Sequence, residues 1–133
     1  MFVDRLLNQG SAPVLEQLLQ FTDARSRVLG EDIVNASTPN YVQKDLSLKR
    51  FETMLEKKVE QQQTAAPGTV RFDDISSNIE NSRSGILFHD GNNRSMEQLM
   101  SDQAKNALMH SMAVELLRSQ YSTLQMALKE RVS

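Results

Sequence analysis

The sequence predicts a mainly α-helical protein. Long N- and C-terminal helices form a coiled-coil-like pair, and a small, loosely structured insert with short extended segments lies between them. Two observations support this fold class. Residues 95–132 contain neither proline nor glycine, and their apolar or semi-polar residues recur at heptad spacing, which keeps one side of a helix facing a partner. Residues 13–36 also carry apolar residues at helical spacing.

The N-terminal helix and the turn after it are assigned to residues 1–41. Pro13 suits the first helical position, where its missing N–H is harmless. Pro39 predicts the helix end because it disfavours helical geometry at the preceding residue, and Asn40 tolerates the positive φ of a turn. The lead at 1–10 fits either a helical turn or a disordered segment. The apolar residues follow two adjacent lines, Val14/Leu18/Phe21/Val28 and Leu15/Leu19/Leu29/Ile33.

Residues 42–94 are predicted to form the small insert. Apolar and polar residues alternate from 42 to 48, which is typical of a short extended segment, and the spacing from Phe51 to Val59 predicts a short helix. The Gln-rich stretch 61–69 predicts a linker because it lacks apolar residues that could pack. Two brief strands are also expected, at residues 70–72 and 85–88.

The C-terminal heptad helix is assigned to residues 95–133. Ser95 and Gln98 fit a capping box, directly after the turn-forming run Asp90-Gly91-Asn92-Asn93. At about 1.5 Å per residue the helix would be roughly 55 Å long. Because its apolar surface is broad near the middle, other elements or other chains are expected to cover it. The heptad residues are Met96, Met100, Gln103, Ala107, His110, Val114, Leu117, Tyr121, Leu124 and Leu128.

Composition excludes several classes of protein. Only 39% of the 133 residues are hydrophobic and 5% aromatic, so we expect the core to be shared with other chains. Fifteen scattered Lys and Arg residues against 17 acidic ones argue against nucleic-acid binding. The absence of cysteine excludes disulfides, cysteine-based zinc sites and thiol catalysis. We identify neither a cleavable signal peptide nor an apolar run of membrane-spanning length.

No catalytic, cofactor or metal site is predicted, and an enzyme is not expected. No nucleophile, base and orienting group occur at a plausible spacing, and no glycine loop suits a phosphate. His89 and His110 lack metal-ligand spacing; His110 is expected to be a packed, hydrogen-bonded residue and His89 a loop residue. The Asp90–Asn93 run lacks the alternating ligands of a calcium loop.

One motif resembles a known signature. Val34-Asn35-Ala36-Ser37-Thr38-Pro39-Asn40-Tyr41 resembles the Ala-Asn-x-x-Thr-Pro-x-Tyr pattern of bacterial flagellar rod, hook and hook-associated proteins. The Asp90–Asn93 run and the long helix after it are similar to the C-terminal segment of the proximal rod proteins in particular. Val34, Asn40 and Arg94 depart from the usual residues of the family. The turn-motif residues are Asn35, Thr38, Pro39, Asn40 and Tyr41.

The resemblance implies a structural subunit of the flagellar basal-body rod, a hollow shaft around the export channel. It implies export from the cytoplasm without a cleavable signal, and a place in the periplasmic rod. The implied partners are copies of itself, other rod proteins, the MS ring, a FliE-type adaptor and the export gate. Together with the heptad pattern it predicts an assembly seam of Leu15, Leu18, Leu29, Ile33, Met100, Ala107, Val114, Leu117, Tyr121, Leu124 and Leu128.

A second class of function fits the residues alone. A helical adaptor or regulator could bind one partner through the C-terminal heptad seam without building a tube. The two hypotheses differ at the N-terminus, because only rod assembly requires both ends of the chain.

Overall fold

The computed structural model describes residues 12–65, 86–89 and 94–132, and it confirms the mainly helical fold. Within these ranges three helices and two short strands follow one another along the chain. They are α1 (Ala12–Val34), β1 (Lys44–Leu46), α2 (Leu48–Thr64), β2 (Leu87–His89) and α3 (Met96–Val132). The strands pair antiparallel, with Lys44 opposite His89 and Leu46 opposite Leu87. His89, which the sequence placed in a loop, is therefore the last residue of a strand.

The helices α1 and α3 lie side by side in opposite directions. Near one end, the Tyr121 hydroxyl donates to the Glu16 carboxylate over 2.8 Å. At mid-length, the Asn106 amide donates to the Thr22 carbonyl over 2.7 Å. Since residue numbers fall along α3 as they rise along α1, the pair is an antiparallel hairpin.

The insert supplies core residues that cover a face of α1 that α3 does not cover. Phe21 of α1 stacks on Phe51 of α2, with ring centroids 4.4 Å apart and an interplanar angle of 18°. Such a pair contributes about 0.5–1.5 kcal/mol beyond the apolar area it buries. The insert residues buried against α1 are Leu46, Phe51, Leu55 and Ile86. The middle of the chain is therefore part of one core with α1.

The bounds of α2 differ from the prediction. Ser47 caps its N-terminus, where the side-chain oxygen accepts a hydrogen bond from the Arg50 N–H over 3.3 Å. The helix continues to Thr64, four residues into the predicted linker, because glutamines are adequate helix formers and no proline occurs before Pro67. The rest of the linker, the strand at 70–72, the Asp90–Asn93 run and the lead at 1–10 lie outside the described residues.

The start of α3 is as predicted. The Gln98 N–H donates to the Ser95 hydroxyl oxygen, and the Ser95 N–H donates to the Gln98 side-chain oxygen, both over 3.2 Å. This is a reciprocal capping box, which satisfies two backbone donors at the helix end. Among the described helices, none combines the length and the apolar character needed to cross a membrane.

Candidate assembly surface

The turn motif ends α1 through a short series of local hydrogen bonds. The Asn35 side chain donates to the Glu31 carbonyl over 2.9 Å, and the Thr38 hydroxyl donates to the Asn35 side-chain oxygen over 3.2 Å. Asn40 has a φ of 63°, which confirms the expected left-handed turn position. Pro39 precedes it and is exposed. The motif residues therefore reverse the chain locally, and Tyr41 leads into the strand.

Tyr41 connects this turn to a buried carboxylate. Its hydroxyl donates to Asp32 Oδ1 over 3.2 Å, and the Lys44 backbone N–H donates to the same oxygen over 3.0 Å. Asp32 has no exposed surface, and this burial raises its pKa above the ordinary value for an aspartate. Burial also raises the pKa of Tyr41, and the neighbouring Asp32 raises it further. Asp32 is therefore the point at which the turn is attached to α1.

Arg94 is at the centre of a partly buried ionic cluster, which we call the Arg94 junction. Its guanidinium donates to Asp32 over 3.3 Å, to Asp45 over 3.1 Å and to Asp102 over 2.9 Å. Arg25 donates to the other oxygen of Asp45 over 3.1 Å. The junction thus joins α1, β1 and α3 through side chains from all three.

Gln43 fixes the backbone of Arg94 as well. The Arg94 N–H donates to the Gln43 side-chain oxygen over 2.8 Å, and the Gln43 amide donates to the Arg94 carbonyl over 3.0 Å. The sequence predicted a solvated acid at Asp32, which is wrong because Asp32 is fully buried, and it did not identify Gln43 or Asp45. Arg94 was noted only as a departure from the family pattern, and that unusual charge was the one available signal. Within residues 12–65, 86–89 and 94–132, no group of three or more His, Asp or Glu side chains is placed to hold a metal.

A polar layer formed by Gln103, Asn106 and His110 interrupts the apolar contact between α1 and α3. The Gln103 amide donates to the Ser26 carbonyl over 3.2 Å. His110 Nδ1 lies 2.7 Å from the Thr22 hydroxyl, which confirms that His110 is a hydrogen-bonded residue of the interface. Polar residues in a helical seam commonly fix its register. Here they hold side chains of α3 at fixed points on α1.

Gln103 and His110 of the predicted heptad meet α1, but the other line of the heptad, which contains Met100 and Ala107, is displaced by one residue from the buried face of α3. Leu99, Asn106 and Ala113, seven residues apart, are buried at 0%, 2% and 0% exposure. Met100, one residue further along, is 59% exposed, and Ala107 is exposed as well. Because the apolar surface of α3 is broad, the sequence pattern did not distinguish these two adjacent lines.

The N-terminal members of the predicted seam are covered by their own chain. Leu15, Leu18 and Leu29 are at most 1% exposed, and Ile33 is half-buried. The predicted assembly seam had assigned these residues to contacts with other molecules. They are covered within the chain because α3 packs on one side of α1 and the insert packs on another.

The C-terminal members of the seam are exposed. Val114 and Leu117 are half-buried beside α1, but Tyr121, Leu124 and Leu128 are 45%, 54% and 53% exposed. We call these last three residues the C-terminal stripe. They continue the side of α3 that faces α1, yet α1 begins at Ala12, close to the Tyr121–Glu16 contact. Every described side chain from Tyr121 to Arg131 is exposed.

The stripe is consistent with a surface for another helix. Covering the exposed halves of three such side chains would supply on the order of 2–5 kcal/mol. Tyr121 also has a polar end, and its hydrogen bond to Glu16 raises the pKa of the phenol. An apolar stripe of this kind, on a helix that extends past its partner, is suited to packing against another apolar surface.

A comparison with known proteins finds a relative that spans nearly the same length. The chain is 27% identical to the flagellar basal body rod protein FlgB of Bacillus subtilis over 124 residues, which cover 92% of this chain and 95% of that protein. This similarity confirms the resemblance to the flagellar rod proteins. No protein-family model matches the chain, and no solved structure matches it at a significant level.

Proposed function

We propose that this chain, which resembles a flagellar rod protein over nearly its whole length, is a structural subunit of the flagellar basal-body rod. The observation that carries the proposal is the similarity to FlgB, which covers 92% of the chain and therefore includes both terminal helices. A helical adaptor that shared only a C-terminal seam would match over that helix alone. The rod role is therefore preferred to the adaptor role.

The proposed mechanism of assembly is helix-to-helix packing through the C-terminal stripe. Each subunit presents Tyr121, Leu124 and Leu128 as exposed residues at the end of the hairpin where α1 begins. A neighbouring copy or another rod protein would cover these side chains and remove their apolar surface from water. Repetition of this contact around an axis would give a hollow shaft with the export channel at its centre. A closed or helical array is what a heterologous contact produces.

The proposed location is the proximal rod. There the partners would be copies of this chain, other rod proteins, the MS ring, a FliE-type adaptor and the export gate. The subunit would be exported from the cytoplasm without a cleavable signal. The role we propose is mechanical and includes no catalytic step.

The proposal is tested by placing charge on the stripe. Leu124→Glu together with Leu128→Glu adds two carboxylates at exposed apolar positions, so the monomer should keep its fold while assembly fails. The matched control is Ser122→Glu with Gln125→Glu, which adds the same charge at other exposed positions of the same helix. Each variant replaces the natural chain in the source bacterium, and basal bodies are purified and probed for it.

The wild-type chain and the control should be present in purified basal bodies and should support motility. The double Leu variant should be absent from them, although circular dichroism shows normal helix content in the purified monomer. If the wild-type chain itself does not purify with basal bodies, the rod role is wrong. If both double variants are incorporated equally, the rod role stands but the stripe is not the assembly contact.

A further inference from the structure

Four of the seven methionines in the chain are exposed residues of α3, with between 42% and 59% of their surface in contact with solvent. We call them the outer methionines, and they are Met96, Met100, Met112 and Met126. Met54 and Met109 are different, because both are partly buried and pack against the hydrophobic core. We call these two the core methionines. The fold therefore divides the described thioethers into an accessible group and a packed group.

The outer methionines lie away from the contact surfaces of α3. Helical periodicity of about 3.6 residues per turn places Met100 and Met112 roughly 120° from the residues that are buried against α1, one on either side. Met126 is two positions from Leu124 and two from Leu128, so it lies roughly 160° round the helix from both. A polar atom added to these methionines therefore meets water and displaces no packed neighbour.

The thioether sulfur of methionine reacts with hydrogen peroxide, and the chain has no cysteine thiol that would compete for the oxidant. A sulfur lone pair attacks one peroxide oxygen, so that an S–O bond forms as the O–O bond breaks. The sulfur is oxidised by two electrons to the sulfoxide, the peroxide is reduced, and its second oxygen leaves as water after proton transfer. The sulfoxide is polar, and methionine sulfoxide reductases return it to methionine.

We propose that the outer face of α3 is a site of reversible oxidation by hydrogen peroxide, where the outer methionines become sulfoxides while the hairpin stays folded. The core methionines react slowly, because an added oxygen there must displace close-packed neighbours. Ala107 and Leu108 are exposed and lie between Met100 and Met112, so oxidation turns a mainly apolar surface into a polar one. The site is separate from the C-terminal stripe and does not depend on the proposed rod function.

The first test treats the full chain with hydrogen peroxide and follows each methionine by peptide mapping and mass spectrometry. The outer methionines should react within about threefold of the rate of N-acetyl-methionine methylamide, and the core methionines at least about tenfold more slowly, because reaction there requires local opening. Met1 lies outside the described residues and is quantified separately. Equal rates for the outer and core methionines would overturn the proposal, and so would outer methionines that are as slow as the core ones.

A denaturing concentration of urea provides the control for local sequence. The six outer and core methionines should then react at similar rates, since the packing that protects Met54 and Met109 is lost. Core methionines that stay slow in urea would show that the fold does not protect them, which contradicts the proposal.

Two matched variants test whether the position on α3 decides the rate. Leu108→Met adds a methionine at a residue that is 63% exposed, and Leu99→Met adds one at a residue that is 0% exposed. Exchange of leucine for methionine roughly conserves volume, so both variants should fold, which circular dichroism checks. The methionine introduced at 108 should react as fast as the outer methionines, and the one at 99 at least about tenfold more slowly. Equal rates at the two positions would overturn the assignment of the outer face as the site.

The last test asks whether the modification leaves the fold intact and is reversible. The chain oxidised at the outer methionines should keep its helix content and its midpoint of urea unfolding. Methionine sulfoxide reductases A and B, one for each sulfoxide epimer, should remove the added oxygens when dithiothreitol supplies the electrons. A loss of helix on oxidation, or sulfoxides that the two reductases do not reduce, would show that the outer face is not such a site.

Discussion

The two ends of the helical hairpin are built in opposite ways. At one end the Arg94 junction joins α1, β1 and α3, and Asp32 and Asp45 are buried there at 0% and 7% exposure. At the other end α3 extends beyond α1, and the C-terminal stripe is exposed. Charged residues are thus buried at one end of the hairpin, and the apolar residues of the stripe are exposed to solvent at the other. This reverses the usual distribution.

The difference separates two tasks of the chain. The junction fixes how α3 leaves the insert, because one guanidinium contacts three carboxylates from three elements. The stripe adds little to the monomer, since its side chains remain half in water. We call the end of the hairpin at the Arg94 junction the closed end and the end at the C-terminal stripe the open end. The closed end should determine the stability of the monomer, and the open end should determine what the monomer binds.

The largest effect is expected at the junction. Arg94→Met removes the guanidinium and leaves the buried Asp32 and Asp45 carboxylates without it, which should lower the free energy of unfolding by about 3–5 kcal/mol. Urea denaturation followed by circular dichroism measures this change. The control is Lys44→Met, which breaks a more exposed ion pair with Glu31 and should change stability by at most about 1 kcal/mol. Equal losses in the two variants would contradict a special role for Arg94.

A smaller effect is expected at the turn of the closed end. Asn40 has a φ of 63°, a conformation that a β-branched residue adopts poorly. Asn40→Val should lower the free energy of unfolding by about 1–2 kcal/mol, whereas Asn40→Gly should be close to neutral because glycine adopts positive φ readily. Thermal unfolding of both variants measures the difference. If valine and glycine behave alike, the turn is not held in this conformation in solution.

The third effect is a pH dependence that comes from Asp32. Burial raises the folded-state pKa of Asp32 above the ordinary value of 3.8, so the folded chain holds this proton more tightly than the unfolded chain does. The contribution of Asp32 to stability is therefore most favourable below pH 3.8 and declines as the pH rises through the folded-state pKa.

Asp32→Asn isolates this contribution. The amide oxygen can still accept from Tyr41 and from the Lys44 N–H, but the group no longer titrates. Urea unfolding in a series of acidic buffers should show the wild type losing stability relative to the variant as the pH rises from about 3.8. A constant difference between the two proteins across that series would mean that the Asp32 pKa is not raised.

The smallest effect on the monomer is expected at the open end. Leu124→Gln with Leu128→Gln should change the free energy of unfolding by no more than about 0.5 kcal/mol, because both side chains are more than half exposed. Analytical ultracentrifugation should show reduced self-association at high protein concentration, if the wild type associates through the stripe. A large loss of monomer stability would show that the stripe packs within the chain.

The sequence predicted the helical elements well because their signals are local. Pro13, the Ser95–Gln98 capping box and the Pro39-Asn40 turn each act within a few residues. The capping box and the turn are found where they were expected, and Pro13 is the second residue of α1 instead of the first. The heptad spacing also predicted correctly that α3 is one long helix. It did not show which of two adjacent lines faces α1, because the choice depends on side chains of α1 that are distant in sequence.

The Arg94 junction could not be predicted for the same reason. Arg94 is 62 positions from Asp32 and 49 from Asp45 in the chain, and no local spacing relates them. The cover that Phe51 and Ile86 give to α1 is likewise a tertiary effect. Local rules therefore gave the elements, whereas the contacts between distant elements decided which apolar residues remain available to a partner.

Tyr121 has a practical consequence for following assembly. The chain contains two tyrosines and no tryptophan, so its emission comes from Tyr41 and Tyr121 alone when the light is of a wavelength that phenylalanine does not absorb. Tyr41 is half-buried at the closed end, whereas Tyr121 is in the exposed stripe and donates its hydroxyl proton to a carboxylate. With Tyr41→Phe, one phenol remains as an intrinsic optical reporter. Its emission would reveal in real time, without any dye or tag, when a second molecule displaces water from α3.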